Sequence, residues 1–296
     1  MQVIVIVGPT GVGKTKLSVE LAKRLDGEII NADSTQIYKG LNIATAKVTE
    51  EETSGIPHHL FDIREVTEEY TVFDYQKDCR RQIEEITLRG KIPILVGGTG
   101  LYIKAALYDY QFTQESNQYD YAKETTEELW MMLKEKDPHT QIHPHNRKRM
   151  IRALQYMDQV GKPYSEKEKT NTLLYDTFFV GLTTDREYLY MRINERVDQM
   201  VADGLIEEAK KIYDSNIRTK AIMTPIGYKE LFPYFEKNKT LEECLEEIKL
   251  HSRHYAKRQY TWFRNQMPVT WFSVDFEYFQ NTIDEVIEKI RNHYES

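Results

Sequence analysis

At 296 residues the chain suits one large domain or two moderate ones and can bury a sizeable core. Its composition, 40% hydrophobic and 29% charged, is that of an ordinary globular protein. No apolar run reaches membrane-spanning length and no signal peptide is visible, so no membrane association and a cytoplasmic location are expected. The net charge of -7 excludes a protein that coats nucleic acid indiscriminately but leaves room for a local basic patch. Cys79 and Cys244 stand too far apart for a zinc site.

The first apolar run, VIVIV at residues 3–7, reads as a strand and leads into GPTGVGKT at residues 8–15. This is a phosphate loop. Gly8, Gly11 and Gly13 let backbone N–H groups converge on phosphate oxygens, with Pro9, Thr10 and Val12 completing the turn. Lys14 adds a point charge, and the Thr15 hydroxyl can ligate Mg²⁺ at the start of the helix KTKLSVELAKRL. The loop does not say whose phosphates it holds. A nucleotide hydrolase, a small-molecule kinase using ATP and an enzyme of another diphosphate are all compatible with it.

EIINAD at residues 28–33 reads as a second strand ending in Asp33, where small-molecule kinases place a group that holds the acceptor. The helical pattern TVFDYQKDCRRQIEEITLRG precedes a third strand, IPILVGG at residues 92–98. That strand ends in glycines and offers no carboxylate of the kind hydrolases use for Mg²⁺, which favours transfer to an acceptor. In GGTG at residues 97–100, Thr99 is expected to aim its hydroxyl across the strand ends towards the phosphate loop. A tight turn that requires glycine is an equal alternative.

From residue 113 to residue 172 the patterns are helical (ETTEELWMMLKEKD, RKRMIRALQYMDQVG), without a strand candidate. They read as an all-helical insertion in a core of residues 1–112 and 173–296. HPHNRKRMIRAL gathers Arg147, Lys148, Arg149 and Arg152, suited to a lid over phosphates or a clamp on a nucleic-acid backbone. TFFVGL at residues 177–182 and VTWFSV at residues 269–274 are the last strands, flanking two long helical patterns. The first places Leu189, Ile193, Val197 and Met200 on one face. The second opens with the capping box Thr240–Glu243 and carries an apolar stripe of Leu241, Leu245, Ile248, Tyr255 and Trp262. It also sets Arg253, Lys257, Tyr260 and Arg264 at i, i+4, i+7 and i+11. Complementing the helix dipole explains the sign of these charges but not their density. Cations interleaved with aromatics suit a folded RNA. The alternation of strands and helices predicts an α/β fold, a P-loop NTPase-like parallel sheet flanked by helices, with ligands at the carboxyl ends of the strands.

Taken together, GPTGVGKT, NADSTQIYKGLNIATAK, GIPHHLFDI, ILVGGTGLYIKAAL, IHPHNRKRMIRAL, GKPYS, DREYLYMRINERVDQMVADGLIEEA, IGYKEL and RHYAKRQYTWFR resemble, in order and over nearly the whole chain, the bacterial tRNA dimethylallyltransferases of the IPP transferase family. The resemblance implies transfer of a dimethylallyl group from dimethylallyl diphosphate to the exocyclic amino group of an adenine. That adenine lies 3′ of the anticodon in tRNAs reading codons that begin with U. It implies that residues 8–15 hold the diphosphate with Mg²⁺, that Asp33 accepts the amino proton and that Thr99 contacts the departing oxygen. Asp33, Ser34, Thr35, Gln36 and Thr99 would line the adenine pocket, a channel between the strand ends and the insertion. Lys148, Arg149, Met150, Ile151, Arg152, Arg253, Lys257 and Arg258 would grip the anticodon stem-loop. Some relatives carry an arginine just before the GY of IGYKEL; here Thr224 and Pro225 stand there, so no second cation for the diphosphate is assigned. A monomer is expected.

Overall fold

Val3 to Val7 are all 0% exposed, the burial of a strand covered on both faces and not of one that meets water. The computed structural model describes residues 1–112, 120–166 and 171–295. In it these five residues form most of β1 (Gln2–Val7), in the interior of a six-stranded, all-parallel sheet ordered β3-β2-β4-β1-β5-β6. Val5 lies opposite Leu95 of β4 (Ile92–Val96) on one side and Phe179 of β5 (Asp176–Thr183) on the other. β2 (Gly27–Asn31) pairs with β4, and β6 (Thr270–Ser273) closes the far edge against β5.

Successive side chains of a strand face opposite ways, so the sheet sorts its residues into two cores. Val3, Val5 and Val7 pack with α3 (Val72–Leu88), α4 (Gly100–Leu107) and part of α11 (Leu241–Gln266). Ile4 and Ile6 pack with α1 (Lys14–Leu25), α7 (Arg186–Ala202) and α12 (Phe279–Glu295). Short helices α2 (Glu50–Thr53), α9 (Lys220–Met223) and α10 (Phe232–Phe235) fill the connections.

Three elements depart from the sequence reading. β3 (His58–His59) is a two-residue edge strand paired to β2, too short for any periodicity to reveal. The long pattern after β5 breaks at Gly204, whose φ of 101° is open to glycine at little cost, and a new helix, α8 (Leu205–Asp214), starts there. On α11 the buried line is Cys244, Ile248, Ala256, Gln259 and Phe263, while Leu241, Leu245, Tyr255 and Trp262 are only partly buried. Ile248 alone is common to this line and the expected stripe, since a small alanine and a polar glutamine occupy two of its places. The capping box on α11 is present: Glu243 N–H donates to Thr240 Oγ1, and Thr240 N–H donates to Glu243 Oε2.

The chain divides into two compact units, Met1–Tyr108 with Leu173–Ser296, and Asp109–Thr172. In the second unit α5 (Thr126–Lys136) and α6 (Arg147–Val160) bury Leu129, Leu133, Met150, Ala153 and Leu154 in a core of their own. The buried Asp137 accepts hydrogen bonds from Ser165 N (2.8 Å) and Oγ (2.6 Å). Its described residues hold no strand. Residues 113–119 and 167–170 of the expected insertion lie outside the described residues.

Candidate active site

The loop between β1 and α1 has Gly8, Gly11 and Gly13 at φ 143°, 87° and 90°, a region L side chains rarely enter. A Cβ on Gly8 would also lie 2.7 Å from the Leu182 carbonyl oxygen of β5, so the loop can run this close to the sheet only as glycine. Gly13 is the N-cap of α1 and provides no capping side chain, which leaves the first N–H groups of the helix available to an anion. Lys14 Nζ donates to the carbonyls of Gly8 (3.0 Å) and Pro9 (2.8 Å). Burial lowers its pKa to about 7, Arg196 adds to the drop and Asp33 opposes it. Thr15 is exposed and lines the adjoining cleft, whereas the Val12 side chain is fully buried in the core beneath the loop.

Beyond β2 the chain turns on Asn31. Its Nδ2 donates to Asp33 O (3.1 Å) and Leu60 O (3.0 Å), and its Oδ1 accepts from Asp33 N (2.8 Å). Asp33 Oδ1 accepts from Thr35 N (2.9 Å) and Thr35 Oγ1 (2.7 Å), while Oδ2 takes no hydrogen bond among the described residues. One carboxylate oxygen is thus committed to holding the turn and the other is available. Gln36 Nε2 donates to Thr45 O (2.9 Å) and Ala46 O (3.2 Å). The segment Gln36 meets is itself fixed by Glu208, which accepts from Ile43 N (2.9 Å), Asn42 N (3.1 Å) and Tyr228 Oη (2.7 Å).

Lys14, Thr15, Asp33, Ser34, Thr35 and Gln36 line one cleft of about 1280 Å³, formed within the first unit. Thr99 is placed differently from the sequence reading. Its Oγ1 accepts from Ser34 N (3.0 Å) and donates to Ser34 Oγ (3.2 Å), tying the turn after β4 to the Asp33 loop, and it does not line the cleft. The glycines around it are steric: a Cβ on Gly97 would come 2.3 Å from the Ala32 backbone, and one on Gly100 would strike Trp262. His59 of the IPHH motif is also structural, its Nε2 2.7 Å from Glu28 Oε2, which Arg89 holds at 2.6 Å.

A family model described as IPP transferase matches residues 36–266. The chain belongs to the IPP transferase family. It is 50% identical to the tRNA dimethylallyltransferase of Anoxybacillus flavithermus over 306 aligned positions, covering 100% of this chain and 98% of that one. The tRNA isopentenylpyrophosphate transferase structure from Bacillus halodurans matches with a TM-score of 0.77 at 44% identity, covering 99% and 97% of the two chains. A eukaryotic dimethylallyltransferase acting on tRNA matches with a TM-score of 0.88 at 31% identity, covering 99% and 79%. The phosphate loop and Asp33 precede the segment matched by the family model but lie inside these full-length alignments.

The cations beside the phosphate loop come from α7. Arg196 Nη1 donates to Thr10 Oγ1 (3.0 Å), and Arg192 Nε donates to Gly11 O (3.1 Å) with its guanidinium 4.2 Å over the Phe276 ring. Thr224 and Pro225 line the same cleft without charge. The signal lay in MRINER: both arginines immediately precede core positions, Ile193 and Val197, on the shoulder of the buried face. With β5 beside β1, that shoulder meets the loop after β1. Tyr255 and Gln259 of α11 also line the cleft and were not singled out as site residues from the sequence. Burial pushes the Tyr255 phenol well above the usual range, so it stays protonated.

The side chains of the basic segments differ in what they touch. Arg253 Nη1 donates to Asn194 Oδ1 (2.7 Å), binding α11 to α7, and Arg264 lies over Tyr260 (5.3 Å) and Trp271 (5.6 Å). Lys257 is exposed, and Arg258, also exposed, lies over the Tyr255 ring (5.5 Å) at the cleft. In the IPP transferase insertion, Arg147 donates to the carbonyls of Tyr121, Ala122 and Glu124. Lys148, Arg149 and Arg152 are exposed, Ile151 is partly buried and Met150 is fully buried in the helical core. A side chain enclosed like that of Met150 cannot touch RNA.

Proposed function

We propose that the chain transfers a dimethylallyl group from dimethylallyl diphosphate to the exocyclic amino group of the adenine next to the anticodon, on its 3′ side, in tRNAs reading codons that begin with U. The observation that carries this reading is the single cleft shared by an anion cradle with Lys14 and Arg196 and a carboxylate with an unengaged oxygen, Asp33 Oδ2. The amino nitrogen forms a bond to the allylic carbon as the carbon–oxygen bond to diphosphate breaks, and that bonding pair leaves with the diphosphate. Asp33 Oδ2 takes the proton lost by the nitrogen. The loop amides, Lys14 and Arg196 oppose the charge that grows on the leaving group. Thr99 acts through Ser34, whose N–H it accepts.

Mg²⁺ fits this cradle as a shared ion. Thr15 presents its side chain at the helix start, and no group of three His, Cys, Asp or Glu residues suited to a metal occurs among the described residues. The protein would supply one hydroxyl, leaving the other positions to diphosphate oxygens and water, and the bound ion would withdraw charge from the leaving group. The exposed Lys148, Arg149, Arg152, Lys257 and Arg258 neutralise phosphates of the anticodon stem-loop. The adenine must be flipped from its stack at a cost of about a few kcal/mol. A cytoplasmic location follows from this substrate.

The test is incubation with labelled dimethylallyl diphosphate and unmodified tRNA, with labelled ATP as donor in a parallel reaction. Label should enter tRNA from the first donor only; label from ATP alone would make the chain a kinase. Asp33→Ala should lower kcat by roughly 10²–10⁴-fold while tRNA binding stays within about tenfold.

A further inference from the structure

Gln259 is a buried amide, 5% exposed, on the line of α11 that otherwise carries Ala256 and Phe263, both 0% exposed. Its two amide atoms point to different loops. Oε1 accepts from the N–H of Thr10 in the phosphate loop (3.3 Å), and Nε2 donates to the carbonyl of Gly98 in the turn after β4 (3.2 Å). Only this orientation satisfies both partners, because the reversed amide would set donor against donor and acceptor against acceptor. An apolar residue would fill the same space without the desolvation cost of an amide. The turn has in addition given up a side chain to admit it, since a Cβ on Gly98 would stand 1.9 Å from Gln259 Nε2.

The two loops it joins are the two halves of the reaction. On one side Thr10 carries Arg196 at its hydroxyl (3.0 Å). On the other, Thr99 next to Gly98 accepts from Ser34 N (3.0 Å), and Thr35 closes the same turn on Asp33 Oδ1 (2.7 Å). Beside the backbone hydrogen bonds at the strand ends (Gly97 N–H to Ile6 O, Thr99 N–H to Ala32 O), Gln259 links the leaving-group cradle to the acceptor side through its side chain.

We infer that Gln259 is a positioning residue that sets the separation between the diphosphate cradle and Asp33, and so the line of attack from amino nitrogen to allylic carbon. The inference rests on the reading that Asp33 takes the proton. Group transfer needs nucleophile, carbon and leaving group in line, and a displacement of about 1 Å can cost roughly 10²-fold in rate.

The experiment is a double-mutant cycle of Gln259→Met, similar in length and unable to make either bond, with Asp33→Asn. It is assayed with dimethylallyl diphosphate and tRNA, and with inorganic diphosphate as a competitive probe of the cradle. Gln259→Met should lose roughly 30–100-fold in kcat with the diphosphate inhibition constant changed less than about threefold. In the Asp33→Asn background the same substitution should cost less than about threefold, because no carboxylate remains to be positioned. A loss confined to diphosphate binding would make Gln259 only a brace of the cradle and overturn the inference, as would full additivity. If Asp33→Asn alone turns over at the wild-type rate, the proton-transfer reading itself fails and this inference with it. Should Gln259→Met melt early, Gln259→Glu replaces it: it keeps an acceptor for Thr10 but repels the Gly98 carbonyl, and wild-type kcat there would also overturn the inference.

Discussion

Lys14 sits between opposed influences: burial and Arg196 push its pKa down to about 7, and Asp33 pulls it up. Among the described residues Lys14 Nζ donates to two carbonyls of its own loop. A diphosphate arriving there favours the charged form, so above pH 7 binding should take up a proton at Lys14. The folded protein alone shows the same linkage with opposite consequence. The folded pKa lies below the unfolded one, so this site costs stability at and below about pH 7, and the cost is relieved as pH rises from about 7 towards 10.5. Calorimetry of inorganic diphosphate binding at pH 8, in buffers of different ionisation enthalpy, should show more proton uptake by the wild type than by Lys14→Met. Equal uptake by the two would remove Lys14 from the cradle. At this scale the phosphate loop and Asp33 were legible because their residue types are tied to a chemistry. Arg196 and Gln259 were not. Each lies beside or within a buried helix line, and what such a residue touches depends on which loop the neighbouring strand delivers.

The basic end of α11 illustrates the limit of reading a charge pattern on a single helix. Spacing put Arg253 and Lys257 on one stripe, but α7 packs alongside and absorbs the first through Asn194. Tyr260 is likewise taken up by Thr183 of β5 (3.0 Å). The two ends of the stripe therefore predict different phenotypes. Reversing Lys257 and Arg258 to glutamate should weaken tRNA binding and flatten log K against log salt by about 0.7–0.9 for each phosphate no longer neutralised, with the melting temperature little changed. Arg253→Glu should instead lower the melting temperature, by opening the tie between α7 and α11. Filter binding across a salt series together with thermal melts separates the cases. An unchanged slope for the Lys257 and Arg258 pair would make those charges merely a solvated surface. Two other elements escaped the sequence for related reasons. β3 has only two residues, and the end of α7 depends on a glycine conformation that apolar periodicity does not sense.

At the scale of the whole molecule, the parallel sheet was legible because five strands are apolar runs separated by helical patterns, and a parallel sheet has to be covered on both faces. It follows that the loops after β1, β2 and β4 leave the same end of the sheet, which is why residues far apart in sequence meet at one cleft. The second unit was visible as a stretch without strands; it begins at residue 109, four residues before the expected 113, because the Tyr108–Leu173 pairing that closes the core is not marked in the sequence. Tyr108 and Leu173 form an antiparallel bridge, and Leu174 N–H donates to Leu107 O (2.9 Å). The chain thus leaves the core and re-enters it at adjacent positions. The second unit meanwhile has its own apolar core around Leu129 and Leu154. Replacing residues 109–172 by a two-residue Asn-Gly turn should then leave a core that folds cooperatively, since such a turn spans paired antiparallel strands. That core retains the phosphate loop, Arg196 and Asp33, so its inorganic diphosphate affinity should stay within about threefold of the whole chain's, the change expected when every cradle group is kept. Lys148, Arg149 and Arg152 leave with the excised unit, so tRNA affinity should fall by at least about tenfold at moderate salt. Circular dichroism melts, diphosphate calorimetry and tRNA filter binding on the shortened chain read the three expectations separately. A core that does not fold would refute the independence of the first unit, and undiminished tRNA affinity would place the RNA grip wholly on residues of the core, with α11 the first helix to search.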